Sequence, residues 1–137
     1  MKQGDLLLVY GTLRKGQSAD LSRNSRAEFI GVDQINGLLY ELGWFPGVKT
    51  VESITFDPDK PTVTGDVFKL HSDDLVEALD SYEGYPNLYS RVQTTSRDGR
   101  TVWVYVFNGI VHQDNFIPDG NWVDSKDQKV FTPRQRA

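Results

Sequence analysis

The run TVWVYVF, Thr101 to Phe107, constrains the fold more than any other stretch of this chain. β-Branched and aromatic residues fill it without a break, the composition of a strand packed on a pleated surface. It follows SRDGR (Ser96–Arg100), whose Asp98-Gly99 pair signals a tight hairpin between two antiparallel strands. Further strands are expected at Leu6–Tyr10, Gln34–Leu42, Val48–Phe56 and Thr62–Leu70. In the last of these, Val63 and Val67 fall on one face, Phe68 and Leu70 on the other. GWFPG (Gly43–Gly47) and DPDKP (Asp57–Pro61) read as the turns between them. Only one segment has a clear helical pattern. Many strands and one helix without regular alternation make an α+β domain, and strands that curl on themselves would give a small mixed β-barrel.

Charge and composition then remove whole classes of function. A net charge of −4 and a pI near 5.1 argue against nucleic acid, whose binding needs a basic surface to displace counterions. The absence of cysteine excludes disulfides, thiol nucleophiles and thiolate metal sites, which suits the cytoplasm. The apolar run Leu6–Tyr10 is too short for a signal-peptide core, and no stretch approaches a membrane span. His71 and His112 are isolated, without metal-ligand spacing, and read as surface residues. No G-x-S-x-G elbow is present. Trp44, Trp103 and Trp122 read as core or pocket wall. From His112 onward the chain is polar, with Phe116, Trp122 and Phe131 expected to pack a terminal segment onto the body.

YGTLRKGQS (Tyr10–Ser18) raises a sharper question. Its glycines and serine come close to phosphate-loop spacing, but Gln17 stands where the lysine that reaches the outer phosphates would be. The polar stretch after it, Gln17–Arg26, is at best a short weak helix. Three readings stand: a phosphate loop without its lysine, a plain glycine turn after a strand, or a cradle whose successive backbone N–H groups bind a carboxylate or phosphate without side-chain charge. In the third, Gly11 permits close approach, and Arg14 and Lys15 add a positive background.

The helix supplies the second element. Ser72 can cap it, Asp73 and Asp74 suit the positive end of its dipole, and Gly84 with Pro86 stops it. Leu75, Leu79 and Glu83 recur every four residues and share one side, so a helix that buries the two leucines carries Glu83 toward the interior. Tyr82, Tyr85 and Tyr89 lie nearby in sequence. Loss of hydration and the negative helix end both raise the pKa of such a carboxylate, enabling proton transfer near neutral pH. The alternatives are an exposed helix-end glutamate or one paired with Arg91. Glu77 and Asp80 fall on other faces and read as solvated acids.

VYGTLRKG (Val9–Gly16) followed by LDSYEGYPNLYSR (Leu79–Arg91) resembles the γ-glutamylcyclotransferase-like family, which includes γ-glutamylamine cyclotransferases and plant avirulence-induced proteins. The likeness extends through GLLYELGWFPGV, VTGDVFKL and IPDGNW, covering a domain over 1–122 and leaving a tail over 123–137. It implies a small mixed β-barrel with flanking helices and a cavity at the loop. Tyr10, Gly11, Thr12 and Leu13 would hold the γ-glutamyl part of a small-molecule substrate by backbone groups. Glu83 would accept the proton, and Tyr89 would border the cavity. The implied reaction closes a γ-glutamyl amide to 5-oxoproline without metal or cofactor. A non-catalytic protein that retains the carboxylate-binding cavity is the other expectation.

Overall fold

The computed structural model describes residues 1–51 and 55–122. Among these residues seven strands are formed: β1 (Leu6–Val9), β2 (Ala27–Asn36), β3 (Leu38–Glu41), β4 (Pro46–Lys49), β5 (Thr62–Leu70), β6 (Tyr89–Thr95) and β7 (Thr101–Phe107). One α-helix, α1 (Asp73–Glu83), lies between β5 and β6, and 3-10 turns occupy Leu21–Arg23 and Gln113–Asn115. The fold is α+β, and no helix among the described residues is long and apolar enough to cross a membrane.

The main sheet has the order β2-β5-β1-β7-β6, with β3 and β4 forming a separate two-stranded ribbon. Neighbours are antiparallel except for β1 and β7, which pair in parallel at Leu7 and Trp103. β1 is therefore central, and its unbroken LLLV run has a physical reason: both faces are covered. Leu7 and Val9 join Phe68, Leu70 and Tyr105 under Leu75, Val76 and Leu79 of α1. Leu8 turns the other way, to Val63, Val67, Val102 and Val104, where Leu39 and Val48 of the ribbon complete a second core. The expected division of β5 between its two faces is met residue by residue.

The expected barrel is not closed by these ladders: β2 and β6 are the sheet's two edges. At the hairpin tip the far ends do approach. The Arg97 N–H donates to the Gln34 carbonyl at 2.9 Å, and Arg100 pairs with buried Asp33 at 2.8 Å.

Two strand expectations need correction. Gln34–Leu42 is divided between the end of β2 and the whole of β3, and β2 begins at Ala27. The start of β2 is largely exposed, and its register shifts between Phe29 and Gly31, so no two-residue period marks it. The Val48–Phe56 strand is instead Pro46–Lys49, ended by Thr50 in the left-handed region at φ 59°; residues 52–54 lie outside the described set. Proline fits the first position of a strand, where no ladder donor is lost. The terminal segment behaves as expected as far as it is described. Phe116 meets Tyr40 with ring centroids 5.5 Å apart, and buried Trp122 donates its indole N–H to Glu41 Oε2 at 2.7 Å. Phe131 and the 123–137 tail lie outside the described residues.

α1 forms where its caps dictate. The Ser72 hydroxyl accepts from the N–H groups of Asp74 and Leu75, and Gly84 ends the helix in the left-handed conformation at φ 67°. Ser72→Ala should lower stability by about 1 kcal/mol, read as a lower urea midpoint with an unchanged slope.

Candidate active site

A cavity of about 290 Å³ opens between the end of β1, the β3–β4 turn and the C-terminal end of α1. Tyr10, Gly11, Thr12, Leu13, Glu83 and Tyr89, separated by up to 79 residues of chain (89 − 10), all line it. Each reaches it for a local reason. β1 stops at Val9, so the next four residues leave the sheet as its end meets the helix. Leu75 and Leu79 bury one side of α1, and Glu83, one helical step further, arrives at the cavity. Tyr89 is the first residue of β6 and faces inward.

The loop is anchored by its oxygens. The carbonyls of Gly11, Thr12 and Leu13 accept from the N–H groups of Arg14, Ala19 and Leu21 at 3.0, 2.9 and 2.9 Å. The N–H groups of Gly11, Thr12 and Leu13 donate to no acceptor among the described residues. Three successive free amides in a cavity wall form a partial positive charge suited to an anion. The Thr12 hydroxyl lies 2.7 Å from that of Tyr82, tying the loop to the helix end. Gly11 answers a need for space and not for an unusual φ: a Cβ there would stand 2.7 Å from Pro46 Cγ.

Arg14 and Lys15 do not provide the expected positive background. Arg14 turns to Asp66 and Asn121, at 3.2 and 2.8 Å, and the Lys15 side chain lies over the Phe29 ring, so neither lines the cavity. Buried Asp66 draws the chain away by also accepting the Lys15 N–H at 2.7 Å. After Gly16 no α-helix follows; the chain runs to the 3-10 turn at Leu21–Arg23 capped by Asp20. The phosphate-loop geometry is missing along with its lysine.

The Arg91 alternative for Glu83 is also resolved. Arg91 holds Asp80 through two hydrogen bonds of 3.0 Å and stacks against Tyr85 and Trp103. Asp80 is thus not the solvated acid its helical position suggested. Burial raises its pKa, but hydrogen bonds from Arg91 and the Tyr105 hydroxyl outweigh that and hold it below the usual range. Glu83 is left partly buried, accepting no hydrogen bond and forming no ion pair among the described residues. Burial pushes its pKa up to about 7.

The tyrosines around it serve a different end. The Tyr10 hydroxyl donates to the Tyr105 carbonyl at 2.8 Å and accepts from the Val48 N–H, while the Tyr89 hydroxyl donates to the Pro46 carbonyl at 2.7 Å. Burial, reinforced for Tyr89 by the nearby Glu83 charge, raises both phenols well above their ordinary value. They stay neutral, and their hydroxyls are committed to backbone. Among the described lining residues, Glu83 is the group placed to exchange a proton near pH 7. Tyr82, named beside Glu83 from the sequence, lines the cavity, as does Tyr105, which was not singled out for it. Tyr105 sits in a strand rich in buried residues, where a pocket tyrosine has no separate signal. His71 pairs with exposed Glu28, away from the cavity.

Comparison with known proteins follows the same pattern. The profile described as gamma-glutamyl cyclotransferase, AIG2-like, matches residues 7–124. A gamma-glutamylcyclotransferase family protein YtfP of Citrobacter rodentium is 32% identical over 119 residues, covering 86% of this chain and 95% of the relative. The YtfP protein of Escherichia coli K12 is 30% identical over 119 residues, covering 86% and 96%. Among solved structures, an AIG2-like protein from Mus musculus superposes with a TM-score of 0.68 at 17% identity, over 88% of this chain and 89% of that one. An uncharacterized protein from Pyrococcus horikoshii gives 0.66 at 20%, over 85% and 88%. At those identities the structural likeness speaks for the fold.

Proposed function

The chain belongs to the gamma-glutamyl cyclotransferase, AIG2-like family, and from that premise we propose that it converts a γ-glutamyl amide to 5-oxoproline and a free amine, with Glu83 as general acid and base. In such a substrate the α-nitrogen forms a bond to the γ-carbonyl carbon, closing a five-membered lactam, and the bond from that carbon to the leaving nitrogen breaks. Two protons leave the α-ammonium group and two reach the departing amine; no water or electron is consumed. The substrate brings its own nucleophile. The protein has to hold the chain bent, move protons and steady the charge that develops on oxygen.

The residues divide along those lines. The Gly11, Thr12 and Leu13 amides bind the substrate's carboxylate or the developing oxyanion, and Tyr10 and Tyr89 form neutral walls that favour the folded substrate. Bringing the two ends of one molecule together can supply up to about 7–11 kcal/mol of the barrier in ideal cases. Glu83 takes a proton from the α-ammonium group and returns it to the leaving nitrogen. The observation that carries this reading is the carboxylate of Glu83, without a partner among the described residues and with its pKa pushed up to about 7 by burial, in the same cavity as three amides that donate to none of those residues. Incubation with γ-glutamyl amides, following 5-oxoproline and the freed amine, tests it. Tight binding of such compounds without release of 5-oxoproline would favour a binding protein instead.

The pH dependence is a second check. The base is the ionised form of Glu83, so kcat/KM should rise with pH and level off, with its midpoint near the raised value of about 7. A midpoint near the ordinary glutamate value, which is about 4.3, would assign proton transfer to a solvated group.

A further inference from the structure

The cavity mouth carries more exposed apolar surface than a proton-transfer site requires. Trp44 is 60% exposed, Tyr82 55%, Leu88 46% and Phe45 38%, and all four border this one opening. Single exposed apolar residues are ordinary, whereas a cluster at the rim of a cavity is a binding surface. They come from two separate places, the β3–β4 turn and the end of α1 with the segment after it, so no single local irregularity exposes them together.

The charges near this rim are equally one-sided. Glu83 is the sole charged side chain among the described lining residues. The arginines that could have turned toward it are engaged elsewhere: Arg91 by Asp80, Tyr85 and Trp103, and Arg14 by Asp66 and Asn121. Resting on the cyclotransferase reading above, we infer that the leaving amine carries an apolar substituent without a charge of its own, aromatic or branched, seated against Trp44, Phe45, Tyr82 and Leu88.

A leaving group with its own carboxylate, as in a γ-glutamyl amino acid or peptide, would bring a second anion near Glu83 without a cation to meet it, which is costly on burial. A pendant ammonium could sit over an exposed ring, but at such a site that is worth about two- to fivefold. Burying a phenyl-sized group against the rim is worth about 10- to 100-fold, so the apolar amine is preferred.

Four substrates separate these cases: γ-glutamyl phenethylamide, γ-glutamyl ethylamide, γ-glutamylphenylalanine and the monoamide of γ-glutamate with 1,5-diaminopentane. With the full chain, kcat/KM for the phenethylamide should exceed each of the others by about 10- to 100-fold, chiefly through KM. Trp44→Ala and Leu88→Ala, both truncations of exposed side chains, should each reduce the phenethylamide-to-ethylamide ratio at least about threefold. Equal use of phenethylamide and ethylamide, a preference for either charged leaving group, or a ratio unmoved in both variants overturns the assignment of the leaving group while leaving the cyclotransferase intact. If no amide yields 5-oxoproline, the cyclotransferase reading fails first and this inference falls with it.

Discussion

Glu83→Gln should lower turnover of a γ-glutamyl amide by about 10²–10⁴-fold, the usual contribution of a positioned general base. Glutamine preserves the size of the side chain and cannot take up a proton at neutral pH. Because the Glu83 carboxylate has no hydrogen-bond or ionic partner among the described residues to lose, the substitution leaves the surrounding network intact. Ligand affinity, measured by calorimetry with a slowly turned-over γ-glutamyl compound, should change by no more than about threefold, since the loop amides are untouched. Stability provides an independent sign. Burial raises the folded-state pKa of Glu83 to about 7, above its unfolded value, so ionisation works against the folded state. The variant should therefore be more stable than the parent above pH 7. That advantage should shrink as pH falls and vanish below the unfolded value of about 4.3. Full activity in Glu83→Gln would remove the proposed proton acceptor; a variant less stable than the parent at pH 8 would contradict the unpartnered carboxylate.

Gly11→Val should reduce kcat/KM by at least about 10²-fold, the scale expected when a positioning element moves by about an ångström. A Cβ at Gly11 would lie 2.7 and 2.8 Å from Pro46 Cγ and Cδ, closer than real carbons pack. Pro46 is a ring on β4 and has no flexible end to swing away, so the loop or the ribbon must shift. Its carbonyl also accepts the Tyr89 hydroxyl, so the disturbance reaches both sides of the cavity. Overpacking of this kind costs about 1–3 kcal/mol, leaving a chain whose folding can be verified by its cooperative thermal transition. Unchanged substrate affinity in folded Gly11→Val would rule out the loop amides as the anion cradle.

Much of this site was legible before the fold was known. The four-residue spacing of Leu75, Leu79 and Glu83 sets a helix face whatever lies beneath it, and Ser72 and Gly84 set the helix ends through bonds a few residues long. The β5 and β7 boundaries agree with the sequence reading to the residue, because strong periodicity and turn signals are local. The start of β2 was not legible. An edge strand with an irregular register and exposed side chains has no period to read.

Sequence alone therefore determined β5, β7 and the helix with its ends, the helix face that carries Glu83 and the glycine-bearing turn after β1, since each depends on torsions, caps and neighbours within about one or two turns of chain. Tertiary structure decided the rest. Asp80 and Glu83 are both carboxylates within one turn of the same helix, and nothing local says which one Arg91 will take; the return of β6 alongside β7 gives Arg91 to Asp80 and leaves Glu83 without a partner among the described residues. Placement of β1 between β5 and β7 brings Tyr105 beneath the loop. Asp66, more than fifty residues from Arg14, pulls that cation out of the cavity and leaves backbone amides as its positive wall. Competition for a partner is settled by which groups the chain returns to within hydrogen-bonding distance, and such contacts between distant segments exist only once the sheet has assembled.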